Sequence, residues 1–194
     1  PNNFVYIPIK EAKTLMEAMG NHVGNTFLGI IAPAPSQDPT KERSNWFITI
    51  NYNPVGYIKD DDAKDWKADE LLSNVRQGSE EQNKQRKELG IPEMEIVGWV
   101  EKPTYDPSTH RLVWSIASKD KGAPASDEQG VNYNTYALGR EGYVSMNLVT
   151  GLNSVEDLKP VAKDLLAALD FNPGKKYTEF NASSDKVAAY GLTA

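Results

Sequence analysis

Apolar and polar positions run along this chain with two periods, one of about two residues and one of about three and a half. The first predicts strands. Val5 and Ile7 alternate with their neighbours, and TFLGIIAP (26–33) reads as a buried strand. It leads into the Pro-rich polar loop APSQDPTKERSN. WFITINY (46–52) is rich in β-formers and is closed by Asn53-Pro54. MEIVGWV (94–100) and RLVWSIA (111–117) flank the turn-rich KPTYDPSTH and predict a hairpin with a long loop. VNYNTYALG (131–139) and GYVSMNLVT (142–150) flank Arg140 and Glu141, a two-residue hairpin turn with Gly139 and Gly142 beside it. Between the two hairpins, KDKGAPASDEQG lacks large apolar side chains and reads as a mobile loop.

The longer period predicts three helices. Residues 11–19 place Ala12, Leu15, Met16 and Met19 on one face, with Gly20 as the stop. Asp60, Asp61 and Asp62 are expected to open a second helix, where first-turn carboxylates complement the dipole. Ala63, Trp66, Leu71, Leu72 and Val75 are its core-facing positions. Residues 76–88 are almost wholly polar and read as a solvated half, weakened by Gly78 and ended by Gly90 and Pro92. The clearest stripe is Val155, Leu158, Val161, Ala162, Leu165, Leu166 and Leu169. Ser154 or Asp157 can cap it; with Asp157 as the cap, Pro160 falls in the first turn. Hairpins with few crossover helices predict an α+β domain, an antiparallel sheet flanked by helices. A chain of 194 residues is read as a single soluble domain, 1–194.

Charge and composition narrow the function classes. The net charge is −6 with no dense Lys/Arg cluster, which argues against nucleic-acid binding. The chain has no cysteine, so disulfides, thiolate catalysis and cysteine-ligated zinc are excluded. No run of roughly 18–20 apolar residues could span a membrane. The chain opens on Pro1 rather than Met, and the expectation is that an upstream segment precedes it.

Candidate chemistry is sparse, and no cofactor is expected. The sequence lacks GxSxG, a P-loop, GxGxxG and HExxH. The acidic run 60–62 does not alternate as a calcium loop does. His22 and His110 are the two histidines, each in a turn-like stretch. His110 with Asp106, beside Tyr105, is the best acid–base pair on spacing, although hairpin-loop hydrogen bonding accounts for the same residues. LGREG (138–142) sits between strands and reads as a turn, with Arg140 at its tip available to a partner carboxylate. Trp46, Trp99 and Trp114 fall in strands and are expected to pack. Tyr133 and Tyr136 fall on opposite faces of one strand. An exposed aromatic row would mark a groove for a peptide or glycan.

GYIKDDDA, VGWVEKPTYDPSTHRLVW, LGREG, FNPGKKYTEF and DKVAAYG, in this order, resemble the bacterial membrane-anchored family called domain of unknown function 2167. The resemblance spans 4–191. It implies a signal peptide, an exported domain and a membrane segment after DKVAAYG, and therefore the periplasmic face of the bacterial inner membrane. The family brings no activity to carry over. The order of strands and helices also resembles the PsbP-like sandwich, whose members are mostly non-catalytic binding or assembly factors. The expected role is thus a tethered binding or assembly domain without catalysis, with an envelope protein or cell-wall component as partner. Its candidate surface is Tyr57, Asp60, Asp61, Tyr105, Asp106, His110 and Arg140. Two alternatives stand beside it: a metal-dependent hydrolase using Asp60, Asp61, Asp106 and His110, and an envelope sensor responding to a cation or small ligand.

Overall fold

The computed structural model describes residues 3–19, 21–35, 45–63, 67–125 and 127–192. Seven strands form one antiparallel sheet: β1 (Phe4–Pro8), β2 (Phe27–Pro33), β3 (Phe47–Asn53), β4 (Met94–Asp106), β5 (Arg111–Asp120), β6 (Gly130–Leu138) and β7 (Tyr143–Gly151). Their order across the sheet is β1-β2-β3-β7-β6-β5-β4. Three helices complete the fold: α1 (Ile9–Ala18), α2 (Ala68–Glu88) and α3 (Val155–Ala168). The expected α+β architecture is therefore the observed one.

Strand alternation splits the sheet into two unlike faces. One carries Ile48, Met146, Leu148, Val131, Tyr133 and Ala137, and α3 lays Val155, Ala162 and Leu166 on it to make the main core. On the other face α1 covers one flank, packing Ala12 and Met16 against Phe27 and Ile30. α2 covers the opposite flank along β4. The loop after β3 and the C-terminal segment close one end, where Ile58 and Tyr177 pack on Leu138.

Several expectations are corrected. The acidic run does not begin α2, which starts at Ala68; residues 60–62 belong to the preceding turn, so the dipole explanation for them fails. Trp66 and Gly20, read as a core residue and a helix stop, lie outside the described residues, as do residues 36–44 of the polar loop. The polar half of α2 is more than a solvated face. Asn83, 2% exposed, donates Nδ2 to the Met94 carbonyl and accepts the Met94 N–H. Arg76 donates to the Ile96 and Val97 carbonyls, and Arg86 to that of Pro92. Asn83 and Arg76 thus satisfy backbone groups of the sheet's edge strand, and Arg86 one just before it, where the edge would otherwise be an open template for pairing.

β4 runs on to Asp106, so the loop expected over KPTYDPSTH shrinks to the turn 107–110. Bulges around Gly98 and Glu101 let the longer strand keep its pairing with β5. α3 begins after Ser154, whose side chain makes no capping bond, and Pro160 lies inside the helix rather than in its first turn. The two-residue hairpin of β6 and β7 is as expected: Gly139 N–H donates to the Gly142 carbonyl at 2.8 Å. Gly142 has φ +154°, and a Cβ there would collide with the Asn53 carbonyl.

Candidate functional site

The five segments that carry the family resemblance meet at one end of the sheet. Tyr57 forms a parallel bridge with Val187, its N–H donating to the Lys186 carbonyl and its carbonyl accepting from Ala188. Gly56 allows the approach: its φ is +103°, and a Cβ would sit 2.7 Å from the Lys186 carbonyl oxygen. Gly139 bridges to Lys176, and Arg140 N–H donates to the Lys175 carbonyl. The hairpin tip, the C-terminal run and the post-β3 loop are thus locked by main-chain bonds.

Inside this end the candidate side chains sort into three groups. Tyr105 donates its phenol to Asp60 Oδ2 at 2.6 Å and lies 3.1 Å from His110 Nδ1. His110 Nδ1 is 3.7 Å from the same Asp60 oxygen. The turn 107–110 delivers the imidazole through a left-handed residue, His110 itself, at φ +54°. Its ring packs on Tyr177 with centroids 4.1 Å apart; Tyr57 stacks on Tyr177 at 4.4 Å and on Phe180 at 3.9 Å. Tyr177 donates its hydroxyl to the Ile58 carbonyl.

Asp106 stands apart from this cluster. It accepts from the Ser108 N–H and the Ser108 and Thr109 hydroxyls, closing the turn. Those bonds hold its carboxyl down at about 2. The spacing-based pairing of His110 with Asp106 is therefore corrected: the partners of His110 are Tyr105 and Asp60. Asp61 is exposed; burial first, and then the charges of Asp60 and Asp61, disfavour ionisation of Tyr57.

Arg140 forms the third group. It is bidentate on Asp185, at 2.6 and 2.8 Å, and also donates to the Gly174 carbonyl. The guanidinium holds Asp185 well below the usual carboxylate range. Asp185 was not singled out from sequence; 45 residues separate it from Arg140.

Burial, then the hydrogen bond to Asp60 and its charge, pushes the Tyr105 phenol far above its ordinary value. Tyr177 is raised by burial, then by Tyr57 and Asp60. Both stay protonated at neutral pH, so they act as donors and not as bases. His110 and Tyr177 also line a cavity of about 140 Å³ with Arg111, Asp170 and Lys176; Arg140 is not among its lining. Among the described residues no three His, Asp or Glu side chains come together as a metal site.

A second feature lies on the sheet face that α3 does not cover. Between the two helical flanks, β6, β7 and β3 carry a polar floor. Asn134, Asn147 and Thr49 are direct cross-strand neighbours, and Tyr136, Ser145 and Asn51 form the next row. Trp114 extends the first row onto β5. Asn147 Nδ2 donates to Asn132 Oδ1 at 2.9 Å. Trp114 and Tyr136 lie nearly parallel, 6.3 Å apart, and Trp99 meets Trp114 edge-on. Tyr133 and Tyr136 do point to opposite faces, Tyr133 fully buried and Tyr136 partly so.

Fold and site together define an α+β domain in which Asp60, Asp106 and Arg140 at one sheet end are held by neighbours in the fold, beside a polar sheet face. The chain belongs to the family described as protein of unknown function DUF2167, whose model matches residues 1–194. No curated protein matches it. The solution structure of cyanobacterial PsbP (CyanoP) from Synechocystis sp. PCC 6803 is similar at 9% identity over 87% of this chain and 81% of that one, with a TM-score of 0.44. That is a distant likeness of layout, from which nothing about function follows.

Proposed function

We propose that this chain is a non-catalytic binding or assembly domain, held at the periplasmic face of the bacterial inner membrane by a segment beyond its C-terminal run. One observation carries the non-catalytic part. Three of the candidates are engaged by neighbours in the fold, Asp60 by Tyr105, Arg140 by Asp185 and Asp106 by Ser108 and Thr109, while Asp61 is exposed. Groups tied in this way set the shape of a surface. A nucleophile with its base, aimed at an open cleft, would look different. The hydrolase alternative needs Asp61 and Asp106 beside Asp60 and His110, and only the latter two are in contact.

Tethering and location rest on the resemblance of the DKVAAYG run and its relatives, in which a membrane segment follows. Among the described residues no helix is long and apolar enough to cross a membrane. The partner expected is an envelope protein or cell-wall component. Pull-down from envelope extract with the immobilised domain should recover a saturable partner, and fractionation of the full-length protein should place it with the inner membrane. A hydrolytic turnover abolished by Asp60→Asn, with no partner recovered, would overturn the reading.

A further inference from the structure

We infer that β1 is a docking strand for a second copy of this chain, the two copies pairing antiparallel about Val5 so that the sheet runs on across a two-fold axis. The sheet has two outer edges, and the fold treats them differently. Along β4, Arg76 and Asn83 of α2 donate to the carbonyls of Met94, Ile96 and Val97, and bulges interrupt the strand. Glu95, Glu101 and Lys102 add charge to it. β1, FVYIP, has neither charge nor bulge. Among the described residues no side chain bonds its outer main-chain groups. An open, uncharged edge of this kind is a template for another strand.

The register says which groups are free. Ala34 N–H donates to the Asn3 carbonyl, so Asn3, Val5 and Ile7 bond β2. Phe4 and Tyr6 therefore turn both N–H and C=O outward. Pro8 also points outward, but it has no N–H, and its carbonyl, at the N-cap of α1, accepts the first bond of that helix. The edge thus presents two donors and two acceptors. A copy laid antiparallel with Val5 opposite Val5 puts Phe4 opposite Tyr6 twice, and each pair exchanges both main-chain bonds. Every free group of both copies is then met. Tyr6 leans back over Gly29 and donates its hydroxyl to the Leu28 carbonyl, and Phe4 leans onto Trp46, so neither ring obstructs the approach. On the other face Val5 meets Val5, a β-branched pair that favours strand association. Val5 is 37% and Tyr6 57% exposed. Of the eleven exposed large apolar side chains among the described residues, six lie in β1, α1 and the start of β2: Val5, Tyr6, Ile9, Leu15, Met19 and Leu28. Apolar surface is thus concentrated on the side where the edge is open. A foreign extended peptide would find the same two rungs, whereas a copy brings this apolar side a second time. So short a strand pair falls below the roughly 800 Å² per partner of a standard interface, which makes the dimer a weak, reversible one with a dissociation constant on the order of 100 μM.

The test is sedimentation equilibrium of the whole chain from about 10 μM to about 1 mM, with amide hydrogen exchange over the same range. The mass should rise reversibly toward twice that of one chain. Exchange at the Phe4 and Tyr6 amides should slow with concentration, while the Val5 and Ile7 amides, already bonded to β2, keep their rates. Each copy carries a net charge of −6, so added salt should strengthen the pairing. Val5→Lys and Val5→Glu each set two like charges against one another across the axis and should weaken self-association about tenfold. An equimolar mixture of the two should restore it, which repair of a folding defect could not do. A chain that stays monomeric to about 1 mM, a dimer unaffected by both variants, or folded variants whose mixture fails to associate would each overturn the inference. So would Phe4 and Tyr6 amides protected equally at every concentration, the mark of cover within one chain. The exchange measurement on the native chain stands even if a variant fails to fold. A failed envelope pull-down would leave this dimer untouched.

Discussion

The two faces of the one sheet are built from the same strands and do different work. Beneath α3, β3, β7 and β6 present Ile48, Leu148, Met146, Val131 and Tyr133, all buried. One residue along each strand, on the other face, they present Thr49, Asn147, Ser145, Asn132 and Asn134. The apolar face supplies the stability. The polar face is covered at its flanks by α1 and α2 and at one end by the C-terminal segment, and its centre is left to hydrogen-bonding side chains. A period of two residues is enough to keep an apolar core and a polar face in the same strands without one intruding on the other.

The largest expected effect is on the core face. Leu148→Ala removes a side chain 1% exposed and should cost about 3 kcal/mol in urea unfolding, as buried leucines generally do. A loss below about 1 kcal/mol would mean that α3 is not the main cover. Next, Gly142→Ala should cost about 1–3 kcal/mol, because φ of +154° and the Asn53 carbonyl both resist a Cβ. Tyr105→Phe should cost about 1 kcal/mol, since it removes a part-buried hydrogen bond to Asp60 that is partly screened by solvent.

The smallest effects are those of pH. Tyr105 and Tyr177 have folded-state values raised above the ordinary tyrosine value. Their contribution to stability is full below about pH 10 and is lost as pH rises beyond it. Asp106 and Asp185 are lowered, so their contribution is present above about pH 4 and fades as pH falls, for Asp106 through about 2. Thermal midpoints across pH should show both declines. An alkaline decline that persists unchanged in Tyr105→Phe would dissociate it from that residue.

Much of the fold was legible because local patterns and tertiary contacts agree. The stripe from Val155 to Leu166 and the Gly139–Gly142 turn both say locally what the packing requires. The errors came where a distant partner decides. Asp60–Asp62 read as a helix start, but Tyr105 claims Asp60 from 45 residues away and the Leu192 N–H reaches Asp62. KPTYDPSTH carries turn residues, yet pairing with β5 extends the strand through most of it. The site was half legible. Asp60, Tyr105 and His110 were named and do meet, whereas Asp185 carries no sequence signal linking it to Arg140. The polar floor did leave a signal. Asn132 and Asn134 alternate with Val131 and Tyr133, and Thr49 and Asn51 with Ile48 and Ile50, but alternation alone also describes an ordinary solvated face.

Asn147 and Leu148 are consecutive residues on opposite faces of β7, and Asn147→Leu divides the two roles most directly. Urea unfolding of this variant should give a midpoint close to that of the native chain, because the change removes a buried, unpaired amide oxygen, which offsets the loss of the Asn147 Nδ2 bond to Asn132, at a position the core does not need. A loss of stability comparable to that of Leu148→Ala would contradict the division of labour between the faces.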